Sequence, residues 1–218
     1  MDAPRIADLL SPYLREPLPT AQLAQVSTYL DLLICWNGKT NLTAVRDPEA
    51  MITRHFGESF FVAQQLVTEE IPQTAFDLGS GAGFPGLPLA IYAPEISVTL
   101  IESNNKKATF LKEVVRTLAL KNVSVLAERG EALRGKAAGK TSGKTTANLV
   151  TMRAVEKFAA SATLAASLLQ PDGRLALLIG TAQTDEAIRL LPGLSWQKPV
   201  ALPGGDTRVL LVGRAKVD

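Results

Sequence analysis

The sequence has few residues that could cross-link the chain or bind a metal ion. Its 218 residues include one cysteine, Cys35, and one histidine, His55. One thiol cannot form a disulfide within the chain, and no cluster of cysteine and histidine offers the ligands of a structural zinc site. These shortages predict a protein of a reducing compartment whose chemistry needs no metal. Because Cys35 lies on an apolar helical stripe, we expect a buried thiol rather than a nucleophile.

A long apolar run is also missing. No segment approaches the roughly 20 apolar residues that span a bilayer. The first residues include Asp2 and Asp8 and lack the basic start and apolar core of a signal peptide. We therefore expect a cytoplasmic protein without a membrane partner. The apolar content of 46% suits a globular chain, and the length suits one α/β domain with a small accessory segment.

The net charge of +2 hides an uneven distribution of charge. Residues 1–103 carry 5 Lys and Arg against 12 Asp and Glu, residues 104–157 carry 12 against 4, and residues 158–218 carry 6 against 5. A basic middle third is typical of proteins with a polyanionic partner, although a solvated basic surface would give the same pattern.

The spacing of apolar residues predicts helices first and alternating strands and helices afterwards. Apolar residues recur at helical spacing in 22–35, and a second helix is predicted at about 48–67, beginning near Pro48. From residue 74 onwards, short apolar runs alternate with longer helical segments. The runs are TAFDLG (74–79), VTLIES (98–103), VSVLAE (123–128), NLVTMR (148–153), RLALLIG (174–180) and RVLLVG (208–213).

Apolar strands separated by helices of this length indicate a parallel sheet with helices on both faces. The predicted fold is therefore α/β, with a Rossmann-like sheet in residues 71–218. Residues 1–70 are predicted to form an N-terminal helical extension packed on that domain. The segment RGKAAGKTSGKTT (134–146) is predicted to be a loop.

The segment FDLGSGAGFPG (76–86) places an acid before a series of glycines at the end of the first strand. Gly81, Gly83 and Gly86 fit G-x-G-x-x-G, the turn that binds dinucleotides. Asp77 with Gly79, Gly81 and Gly83 also fits an acid followed by G-x-G-x-G, the turn used for S-adenosylmethionine. The second register is favoured because Asp77 would repel a pyrophosphate but attract a cationic cofactor.

Glu102, which ends the next apolar run, is predicted to accept hydrogen bonds from the ribose hydroxyls of either cofactor. It therefore does not separate an adenosylmethionine enzyme from a nicotinamide-dependent oxidoreductase. A non-catalytic RNA-binding module with a purely structural glycine turn also stays open. A phosphate-loop NTPase is rejected, because GEALRGKA (130–137) ends without the hydroxyl that would bind magnesium.

Several longer motifs resemble those of one known family. They are WNGKTNLTAVRDP (36–48), RHFGES (54–59), FDLGSGAGFPGLPLA (76–90), LIESNNKKATFL (100–111) and MRAV (152–155). Over nearly its whole length the chain resembles the bacterial 16S ribosomal RNA guanine-N7 methyltransferases, also called the glucose-inhibited division protein B family. The sequence differs from the usual family pattern at Ile179, at Asn148 and in its longer Gly/Lys loop.

The resemblance implies methyl transfer from S-adenosylmethionine to N7 of a guanosine in 16S ribosomal RNA, either free or in the small ribosomal subunit. No obligate protein partner is inferred. Matching positions imply cofactor contacts from Gly79, Phe84, Gly130, Glu131 and Arg153, the last with a possible role in the active site.

The chemistry of guanine N7 agrees with the residues present. Its lone pair carries no proton, so no general base and no catalytic dyad are expected. His55 is accordingly expected to form hydrogen bonds or face RNA, and Trp36 is expected to pack in the core. Lys106 and Lys107, which open the helix after the second strand, are predicted to bind RNA phosphates.

Overall fold

The computed structural model describes residues 1–67, 71–136, 146–154, 157–205 and 207–216. Glu70, at the predicted domain boundary, lies outside these ranges. Val155 of the MRAV motif and residues 137–145 of the Gly/Lys loop also lie outside them.

The first part of the chain is helical, as the sequence predicts. It comprises α1 (Ala3–Leu10), a 3-10 turn (Ser11–Tyr13), α2 (Thr20–Thr40), α3 (Pro48–Met51), a π-helical segment (Ile52–Gly57) and α4 (Glu58–Leu66). Side chains of Asp2 and Asp47 cap α1 and α3 by accepting from the amides of Arg5 and Ala50. The single helix predicted at 48–67 is therefore interrupted by one wide turn, a form that is frequent at functional sites.

Helix α2 buries one face and exposes the other. Val26, Leu30 and Leu33 are buried, whereas Ile34 is 40% exposed and Cys35 is also exposed. The expectation of a buried thiol is wrong. Because each residue turns the helix by about 100°, Cys35 lies about 200° from Leu33 and faces solvent.

The remaining chain alternates strands and helices. The strands are β1 (Thr74–Leu78), β2 (Ser97–Ile101), β3 (Val123–Leu126), β4 (Ala147–Arg153), β5 (Leu169–Gly180), β6 (Leu194–Trp196), β7 (Val200–Ala201) and β8 (Arg208–Ala215). The helices are α5 (Gly86–Tyr92), α6 (Asn105–Thr117), α7 (Glu131–Lys136), α8 (Phe158–Ser167) and α9 (Thr184–Leu190).

The strands form one sheet in the order β3-β2-β1-β4-β5-β8-β6, with β7 also paired to β8. Strands β1 to β5 pair in parallel, as predicted. The expected parallel pairing is wrong for the last apolar run, because β8 runs antiparallel to β5, β6 and β7. An antiparallel edge on an otherwise parallel sheet is common in doubly wound folds.

Helices cover both faces of the sheet, and alternate strand residues enter two apolar cores. Leu149 belongs to the core that contains buried residues of α1, α2, α4, α5 and α6, whereas its neighbour Val150 belongs to the core that contains those of α8 and α9. Ile179 is buried in the second core. Asn148 joins two strands, because its Oδ1 accepts from the Thr74 amide at 3.1 Å. Ile179 and Asn148, the two positions that differ from the family pattern, thus contribute to packing and strand contacts within the sheet.

None of the helices in the described ranges is both long and apolar enough to cross a membrane.

Candidate active site

A cleft of about 710 Å³ opens at the carboxyl ends of β1 to β4. Its wall is completed by residues 42, 43 and 55 from the helical N-terminal segment. The sheet order places β1 beside both β2 and β4, so the winding of the chain reverses at β1. Ligands of doubly wound sheets bind at such a reversal, which makes this cleft the candidate site.

The glycine turn after β1 lines the cleft with backbone atoms. Gly79, Gly81 and Gly83 all have positive φ, of 70°, 58° and 93°. Gly79 and Gly81 border the cleft, whereas Gly83 does not, and a side chain at Gly83 would collide with Leu87 and Tyr29. Gly79 and Gly81 therefore leave room for a ligand in the cleft, and Gly83 leaves room for neighbouring side chains.

A hydrogen bond from α2 fixes the same turn from behind. The hydroxyl of Tyr29 donates to the carbonyl of Ala82. The Tyr29 ring stacks on Phe84, with centroids 5.4 Å apart and planes at 8°. Phe84 in turn borders the cleft.

Asp77 lies beneath the turn and does not border the cleft. It is 1% exposed, and its Oδ1 accepts from the Thr151 hydroxyl at 2.7 Å. A side chain at Gly86 would lie 2.8 Å from Asp77 Oδ2, so α5 begins directly against this carboxyl. Burial raises the pKa of Asp77 to about 6, and the hydrogen bond from Thr151 opposes that rise. The structure therefore places Asp77 beneath the turn, away from the surface of the cleft.

Glu102, at the end of β2, borders the cleft and links the turn to the next loop. Its Oε2 accepts from the Gly81 amide at 2.8 Å, and its Oε1 accepts from the Asn104 amide at 2.7 Å. Each carboxylate oxygen can accept a second hydrogen bond. Glu102 is thus held rigidly while retaining lone pairs for a ligand.

The loop after β3 supplies a further part of the wall. Gly130 is buried, and a side chain there would come within 2.6 Å of Leu78 and 2.8 Å of Leu164. Glu131 follows at the start of α7 and is exposed. Both residues border the cleft.

Arg153, at the end of β4, forms the opposite side of the cleft. Its side chain is 16% exposed, and Nη2 donates to the carbonyl of Arg54 at 2.9 Å. Nη2 also lies 3.3 Å from Glu58 Oε2, while Glu58 Oε1 pairs with Arg208 at 2.5 Å. Within the described part of the chain, Arg153 Nη1 has no hydrogen-bond partner.

Two further residues join Arg153 at this end. His55 Nδ1 lies 3.3 Å from Arg153 Nη2, and His55 Nε2 lies 2.7 Å from the Thr43 hydroxyl. Burial, reinforced by the charges of Arg153 and Arg54, lowers the pKa of His55 to about 3, so the imidazole is neutral at physiological pH. The His55 ring also stacks on Phe84, with centroids 5.1 Å apart.

The cleft brings together most of the site residues predicted from the sequence. Those on its border are Gly79, Gly81, Phe84, Glu102, Lys107, Gly130, Glu131 and Arg153; those away from it are Asp77, Gly83 and Lys106. Trp36 packs as expected, because its ring contacts Phe110 and its Nε1 donates to Glu113. Sequence reasoning assigned no role to Thr43 or Glu58, although both lie within the quoted motifs.

Comparisons with known proteins agree on one family. The family model of the rRNA small subunit methyltransferase G, GidB, matches residues 22–195. A ribosomal RNA small subunit methyltransferase G of Chloroflexus aggregans is 41% identical over 203 residues, covering 90% of this chain and 83% of the relative. One from Xanthomonas oryzae pv. oryzae is 37% identical over 204 residues, covering 92% and 91%.

Solved structures confirm the predicted fold. A SAM-dependent methyltransferase from Aquifex aeolicus has a TM-score of 0.59 and 18% identity, covering 80% of this chain and 97% of that chain. The enzyme TYW2 of P. horikoshii, solved in complex with MeSAdo, has a TM-score of 0.54 and 15% identity, covering 73% and 61%. No comparison supports an oxidoreductase or a non-catalytic RNA-binding module. The chain therefore belongs to the ribosomal RNA small subunit methyltransferase G family and is an S-adenosylmethionine-dependent methyltransferase.

Proposed function

We propose that this cleft methylates N7 of a guanosine in 16S ribosomal RNA, presented in the small ribosomal subunit or its RNA. N7 is chosen because neither His55 nor Glu102, two titratable residues that border the cleft, is suited to act as a general base. His55, with a pKa of about 3, is a weak base, and Glu102 is engaged by two backbone amides. An atom with a free lone pair is the acceptor that such a site suits.

The remaining carboxylates that border the cleft lie far from Arg153, beside which we place the target guanine. Glu128 and Glu131 follow β3, and strands β2 and β1 separate β3 from β4. Three strand spacings amount to about 14 Å. Among the described residues, Glu128 and Glu131 are therefore well separated from Arg153, at the end of β4. Glu58 lies 3.3 Å from Arg153, but it is 1% exposed, pairs with two arginines and does not border the cleft.

The residues on the β1 and β2 side fit S-adenosylmethionine. Gly79 and Gly81 offer backbone without side chains at positive φ, where a bound ligand can approach closely. Glu102 retains lone pairs for the ribose hydroxyls, and Gly130 and Glu131 flank the adenine position. We assign Asp77 and Gly83 to support of the turn rather than to cofactor contact.

Arg153 completes the cofactor site from the other side. Arg153 borders the cleft and its side chain is 16% exposed, so its guanidinium fits the carboxylate of the methionine portion. When bound, the cofactor supplies an electrophilic methyl group. The chain contributes orientation: it holds the cofactor against the glycine turn and the guanine beside Arg153, so that N7 and the methyl group are aligned.

Cofactor assignment is tested by calorimetric titration with S-adenosylmethionine, NAD and NADP. We expect binding of S-adenosylmethionine alone, weakened in Glu102→Ala and unchanged in Glu95→Ala, which removes an exposed carboxylate outside the cleft. Binding of a dinucleotide, or equal affinity in both variants, would contradict the assignment.

The target atom is tested by incubating the enzyme with deproteinised 16S RNA and, separately, with small subunits. Borohydride reduction followed by aniline cleaves RNA at 7-methylguanosine and so locates the product. Cleavage in either sample supports N7 and identifies the form of the substrate. Methyl incorporation without cleavage would place the methyl group on another atom.

The RNA-facing surface is proposed to include the start of α6. Lys107 borders the cleft, and Lys106 is exposed beside it. Reversing both charges should reduce the salt dependence of RNA binding by about two phosphate contacts and weaken binding at moderate salt. Lys112→Glu with Arg116→Glu, an equal charge change on exposed residues nearer the other end of α6, is the control. Equal effects of the two double variants on RNA binding would refute the assignment.

A further inference from the structure

The loop after α2 is built to hold Thr43 at the edge of the cleft. The buried Asn37 accepts from the Thr43 amide at 2.9 Å. Arg46 donates to the Asn37 carbonyl at 3.2 Å and to Asn41 Oδ1 at 3.0 Å, which closes the loop. Thr43 is half-buried and borders the cleft beside His55. These polar contacts fix the position of Thr43 in the loop.

The hydrogen bonds around Thr43 determine what its hydroxyl can do. Arg153 has only donors, so its contact with His55 Nδ1 favours the tautomer in which Nδ1 accepts and Nε2 carries the proton. Nε2 then donates to Thr43 Oγ1 at 2.7 Å. The amide of Val45 donates to the same oxygen at 3.1 Å. Both lone pairs of the hydroxyl oxygen are therefore used, and its proton remains for the cleft.

We propose that Thr43 determines base specificity by donating a hydrogen bond to O6 of the target guanine. The inference rests on the proposed function, because O6 is the acceptor that lies next to N7 on the same edge of guanine. Adenine presents an amino donor at that place. A hydroxyl that can only donate would face that donor without forming a hydrogen bond, so adenine is rejected.

The location of Thr43 suits this role. A chain of two contacts, Thr43 to His55 and His55 to Arg153, connects it to the end of β4. That is the side of the cleft opposite Glu102 and the loop after β3, where the nucleoside of the cofactor is placed. Thr43 is a substrate-contacting residue in this scheme, and His55 positions it.

The test compares two RNA substrates, one with guanosine and one with 2-aminopurine riboside at the target position. The second keeps N7 and lacks O6. We expect wild type to methylate the guanosine substrate with a kcat/KM about 10- to 100-fold higher, a range set by the usual effect of an unpaired polar group. Thr43→Val, which keeps the shape and removes the hydroxyl, should lose most of this preference, whereas Thr43→Ser should keep it.

The ratio for two substrates is measured within one enzyme preparation, so a partly unfolded variant does not alter it. Comparison between enzymes also cancels the different intrinsic reactivity of the two bases. An unchanged ratio in Thr43→Val, or equal loss in Thr43→Ser, would overturn the inference alone. Absence of N7 methylation by wild type would overturn the proposed function together with it.

Discussion

Glu58 is the buried anion that pairs with Arg153 at the side of the cleft, and removal of its charge should lower the free energy of unfolding. It is 1% exposed and pairs with Arg208 at 2.5 Å and with Arg153 at 3.3 Å. Glu58→Gln preserves the shape of the side chain and removes the charge. The variant leaves two guanidinium groups close together without their shared anion.

The expected cost follows from the charges and their burial. Two unit charges about 4 Å apart attract by about 4 kcal/mol at an effective dielectric constant near 20. Breaking one side of a buried ion pair typically costs about 3–5 kcal/mol. Burial raises the pKa of Glu58, so desolvation of its charged form outweighs the attraction of its arginine partners, and the cost of the variant comes from the two guanidinium groups left without an anion. We therefore expect the lower end, about 3 kcal/mol, or a fall in Tm of about 10 °C for a chain of this size.

The assay is thermal unfolding followed by circular dichroism at pH 7.5, with methyl transfer measured in parallel. Glu49→Gln is the matched control, because Glu49 also pairs with an arginine, Arg5, at 2.8 Å, but both side chains are about half exposed. Its Tm should stay at the wild-type value because exposed pairs contribute little. Equal Tm values for Glu58→Gln and Glu49→Gln would refute the reasoning.

Two further predictions concern glycine and histidine positions. Gly83 has a positive φ and lies against Leu87 and Tyr29, so Gly83→Ala should lower the free energy of unfolding and the cofactor affinity. Gly38 lies within α2 with open space around it, so Gly38→Ala should raise the free energy of unfolding by about 0.5–1 kcal/mol. Urea unfolding measures the free energy of unfolding of both variants, and changes of the same sign in the two would contradict these predictions. His55 has a pKa of about 3 when folded and about 6.5 when unfolded, so protonation of the unfolded chain should remove about 1.4 kcal/mol of stability between pH 7.5 and 5.5. His55→Gln should lack this loss, and parallel pH profiles of the two proteins would disprove the assignment.

The central strands were predictable because strands buried on both faces appear as continuous apolar runs. Leu149 and Val150 are adjacent and both fully buried, one in each core. Strands β6 and β7 contain only three and two residues, which is too short to form such a run. The direction of β8 was not predictable, since RVLLVG is apolar whichever way the strand runs.

The candidate site was predictable where it is local in sequence. The glycine turn and Glu102 lie at the ends of consecutive strands, so the rule for doubly wound sheets brings them together. His55 and Glu58 contact Arg153 across about 100 residues of chain, and Thr43 contacts His55. These contacts depend on the packing of the N-terminal helices, which no local pattern encodes. The position of Asp77 beneath the turn depends on the face of the sheet to which its side chain points, and the spacing of residues in the sequence does not determine that face.

The hydrogen bond from Tyr29 to Ala82 joins the middle of helix α2 to the glycine turn, and we expect the two to open together. Backbone amides in such a unit exchange with solvent deuterium through the same opening event. We therefore expect a ligand that holds the turn closed to slow deuterium exchange in the middle of α2, which does not border the cleft.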